Sequence, residues 1–164
     1  MTAVLTLPTA AATRELGQRL GRALLSVPGV PQVIALNGDL GAGKTTFVSG
    51  VLAGFGLAGP ARSPTYTLIE PYEAGTRSLY HLDLYRLSGP EDLEALGLRD
   101  LHVKDSTLLI EWAERGAGAL PPVDLTLAFG YAGGEVTTSG DAPRELKITP
   151  HGAIGERVLD LLKN

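Results

Sequence analysis

Hydrophobic positions along the chain follow two patterns, and each pattern predicts a different kind of element. In the stretch before Pro28 they recur at spacings of three and four, which predicts an amphipathic helix that starts at Thr9 or Thr13. The continuous apolar runs at 33–36 and 107–110 instead predict short strands that are buried on both faces. We therefore expect at least one helix packed against a central sheet.

Weaker patterns predict the remaining elements. Alternating residues predict two strands over 65–72 and 78–85, joined by a turn at 73–76. The other predicted elements are a strand over 3–7, helices over 44–52, 90–96 and 152–162, and two weaker strands over 123–129 and 144–149. Strands interleaved with helices predict an α/β fold, and the hairpin at 65–85 predicts a mixed rather than an all-parallel central sheet.

Composition limits the class of protein. A length of 164 residues predicts a single domain over 1–164, and 44% hydrophobic with 20% charged residues excludes a disordered chain. The absence of cysteine excludes disulfide scaffolds and thiolate metal sites. A net charge of −4 argues against a broad DNA- or RNA-binding surface. With no apolar run near the length of a membrane span and no signal-peptide pattern at the start, we expect a cytoplasmic protein without a membrane segment.

Residues 38–45 match the pattern G-x-x-x-x-G-K-[ST] between a predicted strand and a predicted helix. The glycines let backbone amides converge on an anion, and the following helix adds its N-terminal dipole. Lys44, expected to face solvent, supplies a charge for nucleotide phosphates, and Thr45 a hydroxyl for Mg²⁺. The pattern predicts a three-layer domain like those of P-loop nucleoside triphosphatases. Its expected nucleotide contacts are Gly38, Asp39, Gly41, Ala42, Gly43, Lys44, Thr45 and Thr46.

A phosphate-binding loop of this kind works with a carboxylate that holds the metal ion. Glu111 ends the apolar run at 107–110, and ligands bind at the carboxyl ends of parallel strands. We therefore predict that Glu111 holds Mg²⁺ directly or through water, although a capping or surface carboxylate also fits this position. Trp112 comes next, either as a core aromatic or as a cover over the site.

A second polar cluster lies on the predicted strand 78–85. Alternation places His81, Asp83 and Tyr85 on one face and the two leucines between them on the other. This polar face either positions an attacking water molecule or forms a buried hydrogen-bonded network.

A hydroxyl-rich segment, Ser-Pro-Thr-Tyr-Thr, precedes the predicted hairpin at residues 63–67. Its hydroxyls either sense the γ-phosphate as a switch segment does or belong to a turn that enters the strand. Thr65 is the residue of this segment that we expect to contact the nucleotide.

Together these segments resemble the TsaE family of small bacterial ATPases. The resemblance covers about residues 5–130, and its segments occur in the family's order and spacing. The matching segments are LNGDLGAGKTTF at 36–47, SPTYTLIEPY at 63–72, YHLDLYRL at 80–87, EDLEALGLRD at 91–100 and LLIEWAERG at 108–116. Beyond residue 130 the match is loose, through a basic strand around Arg144 and a closing helix.

The resemblance implies a function in tRNA modification. Family members are required to make the threonylcarbamoyl modification on the adenosine next to the anticodon in tRNAs that read ANN codons. They hydrolyse ATP weakly alone and dock onto a TsaB–TsaD complex, so tRNA contact is expected to be indirect. By motif, the resemblance implies that Lys44 and Thr45 are the P-loop pair and Glu111 the Mg²⁺ ligand. It also gives Asp83 a water-orienting role and identifies the segment 63–67 as similar to the family's switch segment. As a cover over the site, Trp112 is expected to lie beside the nucleotide.

Three other functions compete with this interpretation. A small-molecule kinase needs an arginine-rich lid, whereas the arginines here are scattered. A GTPase-like switch needs an N-K-x-D segment, which the sequence lacks. A module that holds a nucleotide without turnover differs from an ATPase only in its kinetics.

Overall fold

The computed structural model describes residues 1–39, 41–62, 64, 68–133 and 142–164. Seven strands and five α-helices alternate along this part of the chain. The strands are β1 (Ala3–Leu7), β2 (Gln32–Asn37), β3 (Ile69–Ala74), β4 (Arg77–Asp83), β5 (Ser106–Glu111), β6 (Leu125–Tyr131) and β7 (Arg144–Pro150). The helices are α1 (Ala10–Leu25), α2 (Lys44–Gly54), α3 (Glu91–Ala95), α4 (Leu98–Leu101) and α5 (Gly152–Lys163). A 3₁₀ turn over Ala113–Gly116 follows β5.

The strands form one mixed sheet in the order β1-β7-β6-β2-β5-β4-β3. The four strands β6, β2, β5 and β4 run parallel in its centre, and antiparallel pairs close both sides. Parallel strands end at the same edge of a sheet, so β2, β5 and β4 all deliver their last residues to one edge. The prediction of a mixed α/β sheet is confirmed.

Helices cover both faces of this sheet, which confirms the predicted three layers. A hydrophobic core lies on each face of the sheet, and alternate residues of β2 point into one or the other. Ile34 packs in the core with α1, α2 and α5, whereas Val33 packs in the core with α3 and α4. Burial on both faces explains why β2 and β5 read as continuous apolar runs rather than as alternating strands.

Helices α1 and α2 cross at backbone contact. A Cβ added to Gly17 of α1 would overlap the carbonyl oxygen of Phe47, and one added to Gly50 of α2 would overlap that of Arg14. Only glycine therefore allows this close approach. Thr9 caps α1 by accepting a hydrogen bond from the Ala12 amide at 3.1 Å, which selects Thr9 over Thr13 as its start.

The hairpin differs from its prediction in its boundaries. Strand β3 starts at Ile69, and pairing of Ala74 with Arg77 leaves only residues 75–76 as the turn. Gly75 has a φ of 62°, which such a two-residue turn requires, so the predicted turn at 73–76 is too long. Residues 65–67, the predicted start of this strand, lie outside the described residues. Helix α4 was not predicted because its four residues carry no periodic signal.

Among the described residues, no helix combines the length and the apolar character that crossing a membrane requires.

Candidate functional site

The candidate site lies where the parallel strands end. Glu111, the last residue of β5, is the register partner of Leu36 in β2 and of Asp83 in β4. The loop at 38–43 leaves β2 at the same edge, and α2 begins at Lys44. The topology therefore brings the loop, Glu111 and Asp83 to the same edge of the sheet.

The loop has the backbone of an anion cradle. Gly38, Gly41 and Gly43 have φ angles of 146°, 79° and 104°, in the region that favours glycine. No side chain caps α2, which begins after Gly43, so its first-turn amides are left for a ligand or water. A helix N-terminus in this condition attracts phosphate. Around it, Asp39 and Thr45 are exposed, Thr46 is half-buried and Ala42 is buried.

Lys44 is buried, with 5% of its surface exposed, so the expectation that it faces solvent is wrong. Its Nζ donates to the carbonyl oxygen of Gly38 at 2.6 Å and lies 4.5 Å from the centre of the Trp112 ring. The Glu111 carboxylate is 3.9 Å away. These three partners stabilise the ammonium beneath the indole.

Glu111 is also buried, at 6% exposure, and forms a pair with the fully buried His81. The distance from His81 Nε2 to Glu111 Oε2 is 2.7 Å. This distance is that of a hydrogen bond, in which a carboxylate form of Glu111 would accept from Nε2. The second carboxylate oxygen, Oε1, faces Lys44 at 3.9 Å, beyond hydrogen-bond distance.

Two buried polar atoms near this pair lack a hydrogen-bond partner among the described residues. They are Nδ1 of His81 and Oδ1 of Asn37, the last residue of β2. Buried polar groups are nearly always paired by protein or water, so within the described residues Nδ1 of His81 is an atom of the His81–Glu111 pair that can still take a partner.

The polar face predicted for residues 81–85 divides in two. His81 belongs to the buried hydrogen-bonded pair, which agrees with one of the two interpretations left open for this face. Asp83 is half-buried, and its Oδ1 accepts a hydrogen bond from the Tyr85 amide at 3.0 Å. Since β4 ends at Asp83, Tyr85 leaves the strand and is 43% exposed.

Tyr85 and Trp112 form an aromatic rim over the site. Their ring centres are 5.0 Å apart, and the Arg115 guanidinium lies 5.3 Å from the Tyr85 ring. Trp112 has a φ of 59°, which is unusual for a bulky residue and ends β5 abruptly. Trp112 therefore combines the two positions considered for it, because it covers Lys44 and also packs against the core on the α3 and α4 side.

Sequence reasoning missed the contact that Arg144 makes with this loop. The first residue of β7, Arg144 donates to the carbonyl oxygens of Gly41 and Ala42. The two partners are 103 and 102 positions away, and only the sheet order brings β7 near β2. Thr65 and most of the segment 63–67 lie outside the described residues, so their predicted contact with a nucleotide stays a prediction.

The mixed sheet, the glycine loop after β2 and the lysine at the start of α2 define a P-loop-like α/β domain. Within this class, the family model described as "Threonylcarbamoyl adenosine biosynthesis protein TsaE" matches residues 7–137. The chain belongs to the TsaE family, which functions in the biosynthesis of threonylcarbamoyladenosine in tRNA.

Relatives from distant bacteria agree. A TsaE protein of Haemophilus influenzae is 42% identical over 132 residues, which cover 80% of this chain and 78% of the relative. One of Bacillus subtilis is 38% identical over 125 residues, or 76% of this chain and 72% of the relative. The fold also matches a crystal structure of Bacillus subtilis YdiB with a TM-score of 0.74 and 27% identity, covering 99% of this chain and 95% of that one.

Proposed function

We propose that this protein is a cytoplasmic, Mg²⁺-dependent ATPase that supports threonylcarbamoylation of the adenosine next to the anticodon. It acts on ATP while docked to a TsaB–TsaD complex, and it contacts tRNA only indirectly. The observation that carries the proposal is the buried group formed by Lys44, Glu111 and His81 against a glycine loop. Family membership supports the function in tRNA modification. The buried group supports ATP hydrolysis, because a lysine and a carboxylate beside a glycine loop are the groups that phosphate transfer uses.

The loop fits a nucleotide phosphate in both shape and charge. A Cβ built on Gly41 would meet no atom within 4 Å, so the loop presents open space where its backbone turns. The α2 N-terminus and the Lys44 ammonium add positive potential at the same place. We infer that the phosphates of ATP bind against Gly41, Gly43 and the first turn of α2, with Lys44 Nζ exchanging its carbonyl partner for phosphate oxygens.

The residues present also fit a magnesium ion. Magnesium at nucleotide sites takes one or two protein oxygens together with phosphates and water, so a protein cage is unnecessary. Thr45 offers an exposed hydroxyl in the first turn of α2, and Glu111 offers Oε1, which has no hydrogen bond within the described residues. When bound, the ion would neutralise phosphate charge that develops during cleavage.

Asp83 is the residue that we assign to the attacking water. It is the register partner of Glu111 and is half-buried rather than enclosed, so solvent has access to it. Its bond to the Tyr85 amide fixes the carboxylate without using its second oxygen. A carboxylate held in this way orients a water molecule and accepts its proton.

A phosphate-release assay tests the enzyme assignment. Wild type with Mg-ATP should release phosphate slowly, and Lys44→Ala should release none above background. Lys104→Ala, which removes an exposed lysine far along the chain, is the matched control and should keep wild-type turnover. Wild-type turnover in Lys44→Ala would reject the assignment.

The partner assignment is tested by adding TsaB–TsaD to the same assay. We expect turnover to rise, because the family resemblance implies an ATPase that is weak alone and docks onto this complex. Equal turnover with and without TsaB–TsaD would contradict the partner assignment while leaving the ATPase assignment intact.

A further inference from the structure

Arg144 reaches across the sheet edge to the backbone of the phosphate-binding loop. Its Nε donates to Ala42 O at 3.2 Å, and its Nη2 donates to Gly41 O at 3.0 Å. Its Nη1 donates to Ala142 O at 2.9 Å. All three nitrogens of one guanidinium therefore bind carbonyl oxygens, two of them in the loop. Only arginine has a planar set of donors that can bind several acceptors at once.

An aromatic ring supports the guanidinium. It lies 4.3 Å from the centre of the Tyr131 ring, in cation–π contact. Within the described residues, no carboxylate lies within 4.0 Å of Arg144 as an ion-pair partner. Among the described residues, Arg144 therefore brings to the loop a guanidinium with no carboxylate partner, on a strand that the sheet holds in place.

Because peptide groups are planar, the hydrogen bonds from Arg144 to loop carbonyls also fix the direction of the neighbouring loop amides. In a trans peptide, the carbonyl of one residue and the amide of the next point in opposite directions. When Arg144 holds the Ala42 carbonyl outward, the Gly43 amide must therefore point toward the opposite side, into the loop. The Gly41 carbonyl is held likewise, and the Ala42 amide on the far side of that peptide donates to Asp39 O at 3.1 Å, which closes the turn.

The loop gains from such a brace because its glycines restrain the backbone only weakly. Gly41 and Gly43 populate many backbone conformations with little difference in energy. We propose that Arg144 is a positioning residue: its bonds to the Gly41 and Ala42 carbonyls hold the phosphate-binding loop in the conformation that binds nucleotide. This inference rests on the proposed function of the loop.

A positioning role predicts a specific kinetic signature. The amides of a correctly held loop contact phosphate equally in the ground state and in the transition state. Loss of the brace should therefore raise KM for ATP and leave kcat nearly unchanged, which is the mark of lost uniform binding. A residue that acted in the chemical step would instead lower kcat.

Calorimetric titration with Mg-ADP tests the role without any turnover. The variants are Arg144→Met, which keeps the side-chain stem, Arg144→Lys, which keeps the charge, and the control Arg19→Met. Arg19 is an exposed arginine whose guanidinium also donates to a backbone carbonyl, that of Leu162, away from the loop. Far-UV circular dichroism and the thermal unfolding midpoint verify that each variant is folded.

We expect Arg144→Met to bind Mg-ADP roughly tenfold to a hundredfold more weakly than wild type, the range for loss of charge-assisted hydrogen bonds. Arg144→Lys should recover only part of this loss, because an ammonium lacks the planar set of donors. Arg19→Met should bind as wild type does. In the ATPase assay, Arg144→Met should raise KM by a similar factor with kcat within about threefold.

If a folded Arg144→Met variant bound Mg-ADP with wild-type affinity, the inference about Arg144 would be overturned, whereas the proposed function of the loop would stand. Full recovery in Arg144→Lys would overturn it as well, because charge without geometry would then suffice. A fall in kcat with unchanged KM would also contradict it. If wild type and Arg19→Met both failed to bind Mg-ADP, the proposed function of the loop would fall, and the inference with it.

Discussion

The two ends of the central strands both bury charged side chains, but they bury them differently. At the amino end, Arg77 donates to Gln32 Oε1, Thr107 Oγ1 and Val27 O at 3.0–3.3 Å. At the carboxyl end, Lys44 has one carbonyl at hydrogen-bond distance, and its carboxylate partner is 3.9 Å away. We name these the amino-end network (Gln32, Arg77, Thr107) and the carboxyl-end cluster (Lys44, His81, Glu111).

The difference lies in how far each set of polar atoms is satisfied. The amino-end network closes on itself, since Thr107 Oγ1 also donates to Gln32 Oε1 at 2.8 Å. In the carboxyl-end cluster, His81 Nδ1 has no hydrogen-bond partner among the described residues. A satisfied network rigidifies a fold, whereas an incomplete one keeps binding capacity for something else. We therefore interpret the amino end as structural and the carboxyl end as the site.

The largest effect on stability should come from the amino-end network. Arg77→Met removes three buried hydrogen bonds and leaves Asp105 without the ion-pair partner that lies 3.7 Å away, so we expect it to lower the free energy of unfolding by about 3–5 kcal/mol. Nucleotide affinity per folded molecule should not change, because Arg77 lies at the opposite end of β4 from Asp83. Urea unfolding and a Mg-ADP titration measure the two quantities.

The control for Arg77 is Arg99→Met. Arg99 is 91% exposed, with an acceptor 3.9 Å away on Glu94, so its loss should change stability by about 0.5 kcal/mol or less. If Arg77→Met unfolds at the same urea concentration as this control, the amino-end network does not stabilise the fold as described.

The next largest effect separates the two acids of the site. Asp83→Asn keeps an oxygen that accepts from the Tyr85 amide but removes the charge, so turnover should fall by about a hundredfold or more while Mg-ATP affinity stays within about threefold. Asp83→Ala should behave in the same way. If Asp83→Asn retained full turnover and only Asp83→Ala lost it, the role of Asp83 would be its bond to Tyr85.

Glu111→Gln should act on the metal instead. The glutamine oxygen cannot replace a charged ligand, so half-maximal activity should require a higher Mg²⁺ concentration than in wild type. A magnesium titration of turnover measures this shift. An unchanged magnesium requirement would place the ion away from Glu111.

A smaller effect should appear at the aromatic rim. Trp112 is the only tryptophan, so tryptophan emission reports this position alone. Its ring covers the Lys44 ammonium, and phosphates that draw Lys44 toward them should change the environment of the indole. We expect a change in emission when Mg-ADP or Mg-ATP is added, and no change in Lys44→Ala. If emission in wild type stayed unchanged while calorimetry showed binding, Trp112 would not lie beside the bound nucleotide.

The smallest effect concerns pH at the amino end. Asp124 accepts a hydrogen bond from the Val33 amide at 2.8 Å, and burial raises the pKa of its carboxyl despite this bond and the nearby His102 and His151. A raised folded-state pKa means that stability from the protonated form is present at acid pH and lost as the pH rises through that pKa.

Asp124→Asn removes this loss, because the amide oxygen still accepts from Val33 but cannot ionise. The unfolding free energy of Asp124→Asn relative to wild type should therefore increase between about pH 4 and about pH 7. Urea unfolding at both pH values measures the difference. If the difference in unfolding free energy were the same at both pH values, ionisation of Asp124 would not affect the stability of the fold.

The sequence predicted the parts of the site that are local. Residues 38–45 and Glu111 each follow an apolar run, and strands of this kind are recognisable from a few consecutive residues. The burial of Lys44 was not predictable, because it depends on the left-handed backbone of Trp112, which no propensity favours. The contact of Arg144 with Gly41 was equally hidden, since it depends on β7 lying beyond β6 in the sheet.

For the fold, too, local features were predictable from the sequence and long-range contacts were not. Helix α1 was predictable from the spacing of its hydrophobic residues, and the threonine that caps it was one of the two predicted starts. Its packing on α2 depends on Gly17 and Gly50, which meet only when the two helices cross. The boundaries of the hairpin depended on the register of Ala74 with Arg77, which local alternation cannot set.

The most direct test of the division between the two ends is a map of backbone amide signals in ¹⁵N-labelled protein during titration with Mg-ADP. Our account predicts the largest shifts at Gly41, Gly43 and Thr45. Amides at the amino end, such as Ser78 and Thr107, should hardly move. Shifts concentrated at the amino end, or an unchanged loop at saturating Mg-ADP, would contradict the assignment of the carboxyl end as the nucleotide site.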